Sequence, residues 1–219
     1  DGRRVHTDII AHSTPTFPTR TGAEFLELLT AIGDSATSTE SPNPVEKFLG
    51  SHPAAKYHVT NAPPVTGSYA TDTFYGVNAF KLVDADGKST AIRYRIVPAS
   101  QPTTLSAEEL AAQTDNFLRT ELESRISSGP LVFSLVAQVA DPSDPTDDAT
   151  ALWPEDREIV ELGRIELQEL LDEEAGAKEQ KNVIFDPIPR IEGVEASDDP
   201  LLEVRAAIYL ISGRERRAA

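Results

Sequence analysis

The sequence has no cysteine, and this absence excludes several kinds of chemistry. Disulfide bonds, a thiolate nucleophile, cysteine-ligated zinc and iron–sulfur clusters all require that residue. The sequence also has no methionine, not even at its first position, which favours a start that is clipped or unrecorded. Cysteine usage therefore leaves the redox state of the compartment undetermined.

Basic residues are scarce, with 20 lysines and arginines against 36 aspartates and glutamates, so the formal net charge is -16. Nucleic acid and anionic membrane surfaces repel such a chain, and we expect neither as a partner. No apolar run approaches the ~20 residues that span a bilayer, and the first residues lack a signal-peptide pattern. The compartment stays open between cytoplasm and periplasm.

The clearest element is a helix near the end of the chain. Asp199 can cap its first amides, Pro200 suits the first helical position, and Gly213 suits the residue that ends a helix. Arg205 lies one turn before Tyr209 on one face of this helix. A nearby guanidinium favours the phenolate form of a phenol, and tyrosinate is a ligand for iron. Without further information, an amphipathic helix with a tyrosine at its rim explains the same pattern.

The rest of the chain alternates between helix and strand patterns. Thr21 and Glu24 form a capping-box pattern, and Gly33 is expected to end the helix that follows. The turn at residues 84–87 predicts a hairpin. We predict helices at 24–32, 45–51 and, with interruptions, 105–126. We predict one strand that ends at 11–13. We predict further strands that span 68–83, 90–97, 131–139 and 159–171.

Several motifs of this sequence resemble those of the catalase family. Arg205, Tyr209, Arg214 and Arg216 match the family's proximal signature, and they follow a run that begins at Phe185-Asp186-Pro187. Other matching segments occur in the family's order at 8–10, 14–17, 75–83, 152–154 and 160–163. The resemblance covers essentially the whole chain, which is most similar to the small catalase-related peroxidases.

This resemblance implies a fold of the α+β class. We expect an antiparallel β-barrel with peripheral helices and a C-terminal haem-ligand helix. One catalase-like haem domain would occupy residues 1–219. The domain would be incomplete at its N-terminus, because the family's distal histidine lies in a strand that precedes the matching region. Open sheet edges would follow if the barrel lacks strands.

The resemblance also implies haem b as the cofactor. Tyr209 would be the axial ligand of the iron, Arg205 would hold it as phenolate, and Arg216 would bind a propionate. Phe25 would pack on the distal face of the haem. The implied haem-binding residues are Phe25, Phe185, Leu201, Arg205, Tyr209 and Arg216.

His12 falls where the family carries a distal asparagine that orients peroxide. A histidine there can serve as a general base, and we name it as the tentative catalytic residue. The alternative is a histidine at a strand end that is bonded to solvent or backbone. His52 and His58 lack supporting carboxylates, so we do not expect a metal site there.

The implied reaction is reduction of hydrogen peroxide or an organic peroxide by an unknown electron donor. A homo-oligomer is a possible assembly. NADPH is not expected, because Glu155 follows Trp153-Pro154 where the family has a histidine, and a carboxylate repels phosphate. The residues after Tyr209 also depart from the family, so the potential of the iron stays open. One alternative is a haem-binding or scaffold relative without turnover, and another is a protein that rearranges fatty-acid hydroperoxides.

Overall fold

The structure, a computed structural model, describes residues 5–218, so Ala219 and residues 1–4 of the predicted domain lie outside it. At its centre is an antiparallel sheet in the order β5-β4-β3-β2-β6, with β1 paired to β3. The strands are β1 Phe74–Tyr75, β2 Phe80–Val83, β3 Ser89–Pro98, β4 Leu131–Val139, β5 Ile159–Leu167 and β6 Val194–Ala196. The helices are α1 Gly22–Ser35, α2 Pro44–Ser51, α3 Pro53–Thr60, α4 Ala107–Ala111, α5 Phe117–Ile126, α6 Glu173–Asn182 and α7 Pro200–Ala218.

The sheet is open, and the prediction of a closed barrel is wrong for the described part of the chain. A barrel requires every strand to pair on both sides, whereas β5 and β6 are the two edges and do not pair with each other. Within residues 5–13, the strand predicted to end at 11–13 does not form either. In its place, a single bridge pairs His12 with Tyr75. Pro15 follows shortly after and has no backbone N–H to continue the pairing.

The β2–β3 hairpin and the inner strand β4 are confirmed. In the hairpin turn, the Asp84 carboxylate accepts from the amides of Asp86 and Lys88, and Gly87 has a φ of 80°, which suits glycine. The buried core on this sheet contains Phe80, Ile92, Tyr94 and Ala137 from the strands and Leu202 from α7. This contact fixes the start of α7 against the sheet.

The predicted helices form, but their boundaries differ. The capping box of Thr21 and Glu24 is confirmed, while α1 continues through Gly33 to Ser35. The predicted helix at 105–126 is two helices, α4 and α5. Helix α3 is not among the predicted helices. Pro53 opens it, because proline is well suited to the first turn of a helix. Within residues 5–218, no helix has the length and apolar character needed to cross a membrane.

Helix α7 begins as predicted and ends later than predicted. The Asp199 carboxylate accepts from the Leu201 amide at 2.9 Å, which confirms the cap. Gly213 lies inside the helix, so its assignment as the end of α7 is wrong. The glycine instead allows close packing, since a Cβ at this position would overlap the side chain of Ile184 unless that side chain moved.

Replacing Gly213 with alanine is expected to lower the free energy of unfolding by about 1–3 kcal/mol. Alanine gains up to ~1 kcal/mol of helix propensity, but the overlap with Ile184 costs more. Gly33→Ala is the matched control, because no atom lies within 4 Å of a Cβ placed on this other helical glycine. We expect that control to be stabilising. Urea denaturation of the two variants compares them, and a stabilised Gly213→Ala protein would contradict the packing argument.

Candidate functional site

Helix α7 brings Arg205 and Tyr209 together as their spacing predicts. The Arg205 Nε and Nη2 groups donate to the Tyr209 hydroxyl oxygen at 3.1 and 2.9 Å. Both side chains are half-buried. Two charge-assisted hydrogen bonds from one guanidinium fix the position of the Tyr209 oxygen and place a positive charge beside it. The pair is therefore chemically suited to present an oxygen ligand to a metal.

Two buried residues hold Arg205 in this position. Its Nη1 group donates to the Asn78 side-chain oxygen, and the Asn78 amide donates to the Asp199 carboxylate at 2.9 Å. Asn78 and Asp199 are each only 3% exposed. The result is a continuous chain of hydrogen-bonded side chains. It runs from Asp199 at the cap of α7, through Asn78 before β2 and Arg205, to Tyr209. Sequence reasoning missed Asn78, because nothing in the local pattern pairs it with residues more than 120 positions away.

His12 is held by the turn that follows it. The Thr14 amide donates to the His12 Nδ1 at 3.3 Å, and the Thr14 hydroxyl oxygen lies 2.6 Å from the same nitrogen. The opposite nitrogen, Nε2, is buried and has no hydrogen-bond partner within the described residues. Burial, and after it the nearby His58 and Arg205, lowers the pKa of His12 to about 4. The ring is therefore neutral near pH 7.

Aromatic and aliphatic side chains connect His12 with two other predicted residues. The Phe17 ring lies 6.3 Å from the His12 ring and 5.0 Å from the Phe25 ring, measured between centroids. Phe17 also packs against the buried cluster that contains Leu201. The structure thus brings His12, Phe25 and Leu201 into one region. At the start of α1, a Cβ on Gly22 would lie 2.9 Å from Val204, so α1 and α7 are in contact.

Phe185 and Arg216 lie in a second region, farther along α7. Both line an open depression of about 1050 Å³ between α5, α6 and α7. The Arg216 guanidinium donates to the backbone carbonyls of Gln180 and Val183 at 3.1 and 2.8 Å. These carbonyls are at the C-terminal end of α6, where a cation is favourable. Arg216 therefore caps α6 in this structure.

A second histidine, missed by sequence reasoning as part of this site, lies near His12. The His58 Nδ1 is 3.1 Å from the Thr16 hydroxyl, and the Thr14 hydroxyl lies 3.3 Å from the Thr16 carbonyl oxygen. Burial lowers the pKa of His58, and a bond to the Thr16 backbone partly opposes this effect. Within residues 5–218 there is no group of three or more histidines and acidic residues that could hold a metal ion.

The lowered pKa of His12 predicts a loss of stability in mild acid. Between pH 4 and 6.5 the unfolded chain binds a proton at this residue and the folded chain does not, so stability is full above pH 6.5 and falls as the pH falls. We expect the change to reach roughly 1–2 kcal/mol by pH 5 after solvent screening. His12→Asn should show a smaller fall in denaturation midpoints between pH 7 and 5. Parallel pH curves for the two proteins would contradict this assignment.

The donor set, together with exposed apolar side chains on the contacting helices α1 and α7, suits a haem. Tyr209 offers a phenolic oxygen held by two N–H groups, and the His12 Nε2 is buried without a partner among the described residues. Apolar side chains on α1 and α7 are exposed, and a flat apolar group can cover such a surface. These side chains are Leu26, Leu29, Ile208 and Ile211.

A family model and individual related sequences both match this chain, and they point to the same family. The family model described as Catalase matches residues 4–219. A catalase-related peroxidase of Mycolicibacterium paratuberculosis is 31% identical, over 96% of this chain and 66% of the relative. A catalase-related peroxidase of Synechococcus elongatus is 30% identical, over 93% of this chain and 60% of the relative. The chain thus spans less than two thirds of the length of these relatives.

Solved structures share the fold. A fungal catalase superposes with a TM-score of 0.82 at 20% identity, covering 96% of this chain and 45% of the fungal one. A bacterial catalase has a TM-score of 0.80 at 20% identity, with 96% and 43% covered. Catalase A of Saccharomyces cerevisiae has a TM-score of 0.81 at 20% identity, with 96% and 46% covered. At this identity the likeness shows the fold alone.

Proposed function

Because the chain belongs to the catalase family, we propose that it is the haem-binding part of a peroxidase that reduces hydrogen peroxide or organic peroxides. The observation that carries this proposal is the pair of hydrogen bonds from Arg205 to the Tyr209 oxygen. A bound haem b would supply the redox-active iron. The reaction consumes two electrons, from a donor still to be identified, and two protons for each peroxide.

Tyr209 is the proposed axial ligand of the haem. Arg205 holds its oxygen in place with two hydrogen bonds, and Asn78 and Asp199 keep Arg205 in position. Altering a group that orients a metal ligand typically changes the affinity or activity of the site by about 10–100-fold. Through these buried hydrogen bonds the fold would influence the electronic properties of a bound haem iron.

Four other residues are proposed to contact the haem. Phe25 and Leu201 lie in the region of His12, and Phe25 is the one assigned to the peroxide side of the haem. Phe185 and Arg216 lie along α7, where Arg216 would bind a propionate with the N–H groups that its two carbonyl partners leave over. A guanidinium has five N–H donors, so Arg216 can cap α6 and bind a carboxylate at the same time.

Reconstitution with haem b tests this function. We expect the loaded protein to consume hydrogen peroxide or cumene hydroperoxide when an aromatic electron donor is supplied. Uptake of haem without turnover would favour the alternative of a non-catalytic haem-binding relative. Failure to bind haem would contradict the proposal and favour a scaffold role.

A further inference from the structure

We propose that His12 is a fixed hydrogen-bond donor, which presents its Nε2–H to a peroxide oxygen, and that Thr14 is the positioning residue that selects this tautomer. The identity of the acceptor rests on the proposed function. The tautomer does not, because it follows from contacts within this chain.

The first step is the assignment of the proton on the His12 ring. A backbone N–H can only donate, and the Thr14 N–H is directed at Nδ1 at 3.3 Å. Nδ1 must therefore offer its lone pair. In a neutral imidazole one nitrogen accepts and the other carries the proton, so the proton is on Nε2.

The Thr14 hydroxyl strengthens the same tautomer. Its oxygen is 2.6 Å from the His12 Nδ1 and 3.3 Å from the Thr16 carbonyl oxygen. The shorter contact is the stronger hydrogen bond. If the hydroxyl accepted from Nδ1 instead, the Thr14 N–H would face another N–H group. When the hydroxyl donates to Nδ1, this nitrogen accepts from both the Thr14 amide and the Thr14 hydroxyl.

The second step concerns the other nitrogen. Nε2 is buried and has no hydrogen-bond partner among the described residues. Buried polar groups nearly always have a partner, so an N–H that lacks one marks a place for a polar ligand. Among the described residues, the Phe17 ring lies 6.3 Å from this ring, and His58 and the Arg205 guanidinium are near enough to act on its charge. Burial and the positive field of Arg205 keep the ring neutral near pH 7.

This arrangement changes the role first expected for His12. A neutral ring with its proton on Nε2 has no lone pair on that side, and its other lone pair is occupied by Thr14. His12 is therefore suited to orient a peroxide and unsuited to accept its proton. An asparagine side chain also offers an N–H donor, whereas leucine has a similar size and offers none.

Nuclear magnetic resonance of the ¹⁵N-histidine-labelled protein without haem tests the tautomer. The chain has four histidines, and His12→Asn identifies the His12 signals by their loss. We expect a neutral ring at pH 7 with its proton on Nε2. Thr14→Val should raise the share of the other tautomer, Thr14→Ser should restore the original one, and Ser13→Ala at the exposed neighbour should change nothing. A proton on Nδ1, or a charged ring at pH 7, would overturn the proposal.

Azide binding to the haem-loaded protein tests the donor. A spectral titration needs no turnover, so it separates ligand binding from activity. We expect His12→Asn to keep the azide dissociation constant within about threefold and His12→Leu to raise it roughly tenfold, the effect of one hydrogen bond. Equal affinities in the two variants would overturn the donor role. A protein that takes up no haem would contradict the proposed function, while the resonance spectrum would still decide the tautomer.

Discussion

Removing the Tyr209 hydroxyl by the substitution Tyr209→Phe is expected to abolish axial ligation of haem iron. The phenolic oxygen is the group that accepts two hydrogen bonds from Arg205, and phenylalanine retains the ring without it. Altering groups behind a metal ligand typically costs 10–100-fold in metal affinity, so losing the ligand itself should cost at least about 100-fold. The absorption spectrum after haem addition measures this effect. The wild-type protein should show a high-spin ferric spectrum typical of phenolate ligation, and the variant should not.

Tyr69→Phe is the matched control, because it deletes the same hydroxyl from an exposed tyrosine in the short turn at Tyr69–Thr71. Its spectrum should equal that of the wild-type protein. If Tyr209→Phe binds haem as tightly and with the same spectrum, another residue ligates the iron. The assignment of α7 as the haem-ligand helix would then fail, although its contacts with the sheet would stand.

The Arg205–Tyr209 contact could be predicted from the sequence because it is local. Residues one turn apart on a helix meet wherever that helix lies, and the Asp199 cap fixes where α7 begins. The support from Asn78 could not be predicted in this way, since it depends on how β2 packs against α7. The tautomer of His12 is also hidden from spacing, because it depends on the direction of one backbone N–H group.

The same distinction holds for the fold. Features set by neighbouring residues could be predicted, and those set by distant residues could not. The apolar run of β4 and the Asp84–Gly87 turn carry their own local signals, and both form as predicted. Barrel closure requires two distant edges to meet, and no local pattern reports on that pairing. Gly213 illustrates a related ambiguity, because glycine serves both helix ends and close contacts. Only the position of Ile184 separates the two uses.

Asn78→Ala is expected to lower the free energy of unfolding by about 2–4 kcal/mol. The Asn78 side chain accepts from Arg205 and donates to Asp199, so its removal leaves a buried carboxylate without one of its partners. An unpaired buried polar group costs ~1–3 kcal/mol, and more when it is charged. Urea denaturation measures the loss. Haem affinity should fall by about 10–100-fold, because Arg205 is no longer held against the ligand oxygen.

Asn116→Ala is the control for this substitution, because Asn116 is an exposed asparagine whose side chain makes no cap hydrogen bond to α5. Its effect on stability should stay within about 0.5 kcal/mol. The two readouts of Asn78→Ala answer different questions. A stability loss with unchanged haem affinity would mean that the buried chain holds only the fold, and that Arg205 orients Tyr209 unaided. A loss in both would mean that the sheet sets the geometry of the iron ligand through Asn78, so that changes far from the haem can alter its chemistry.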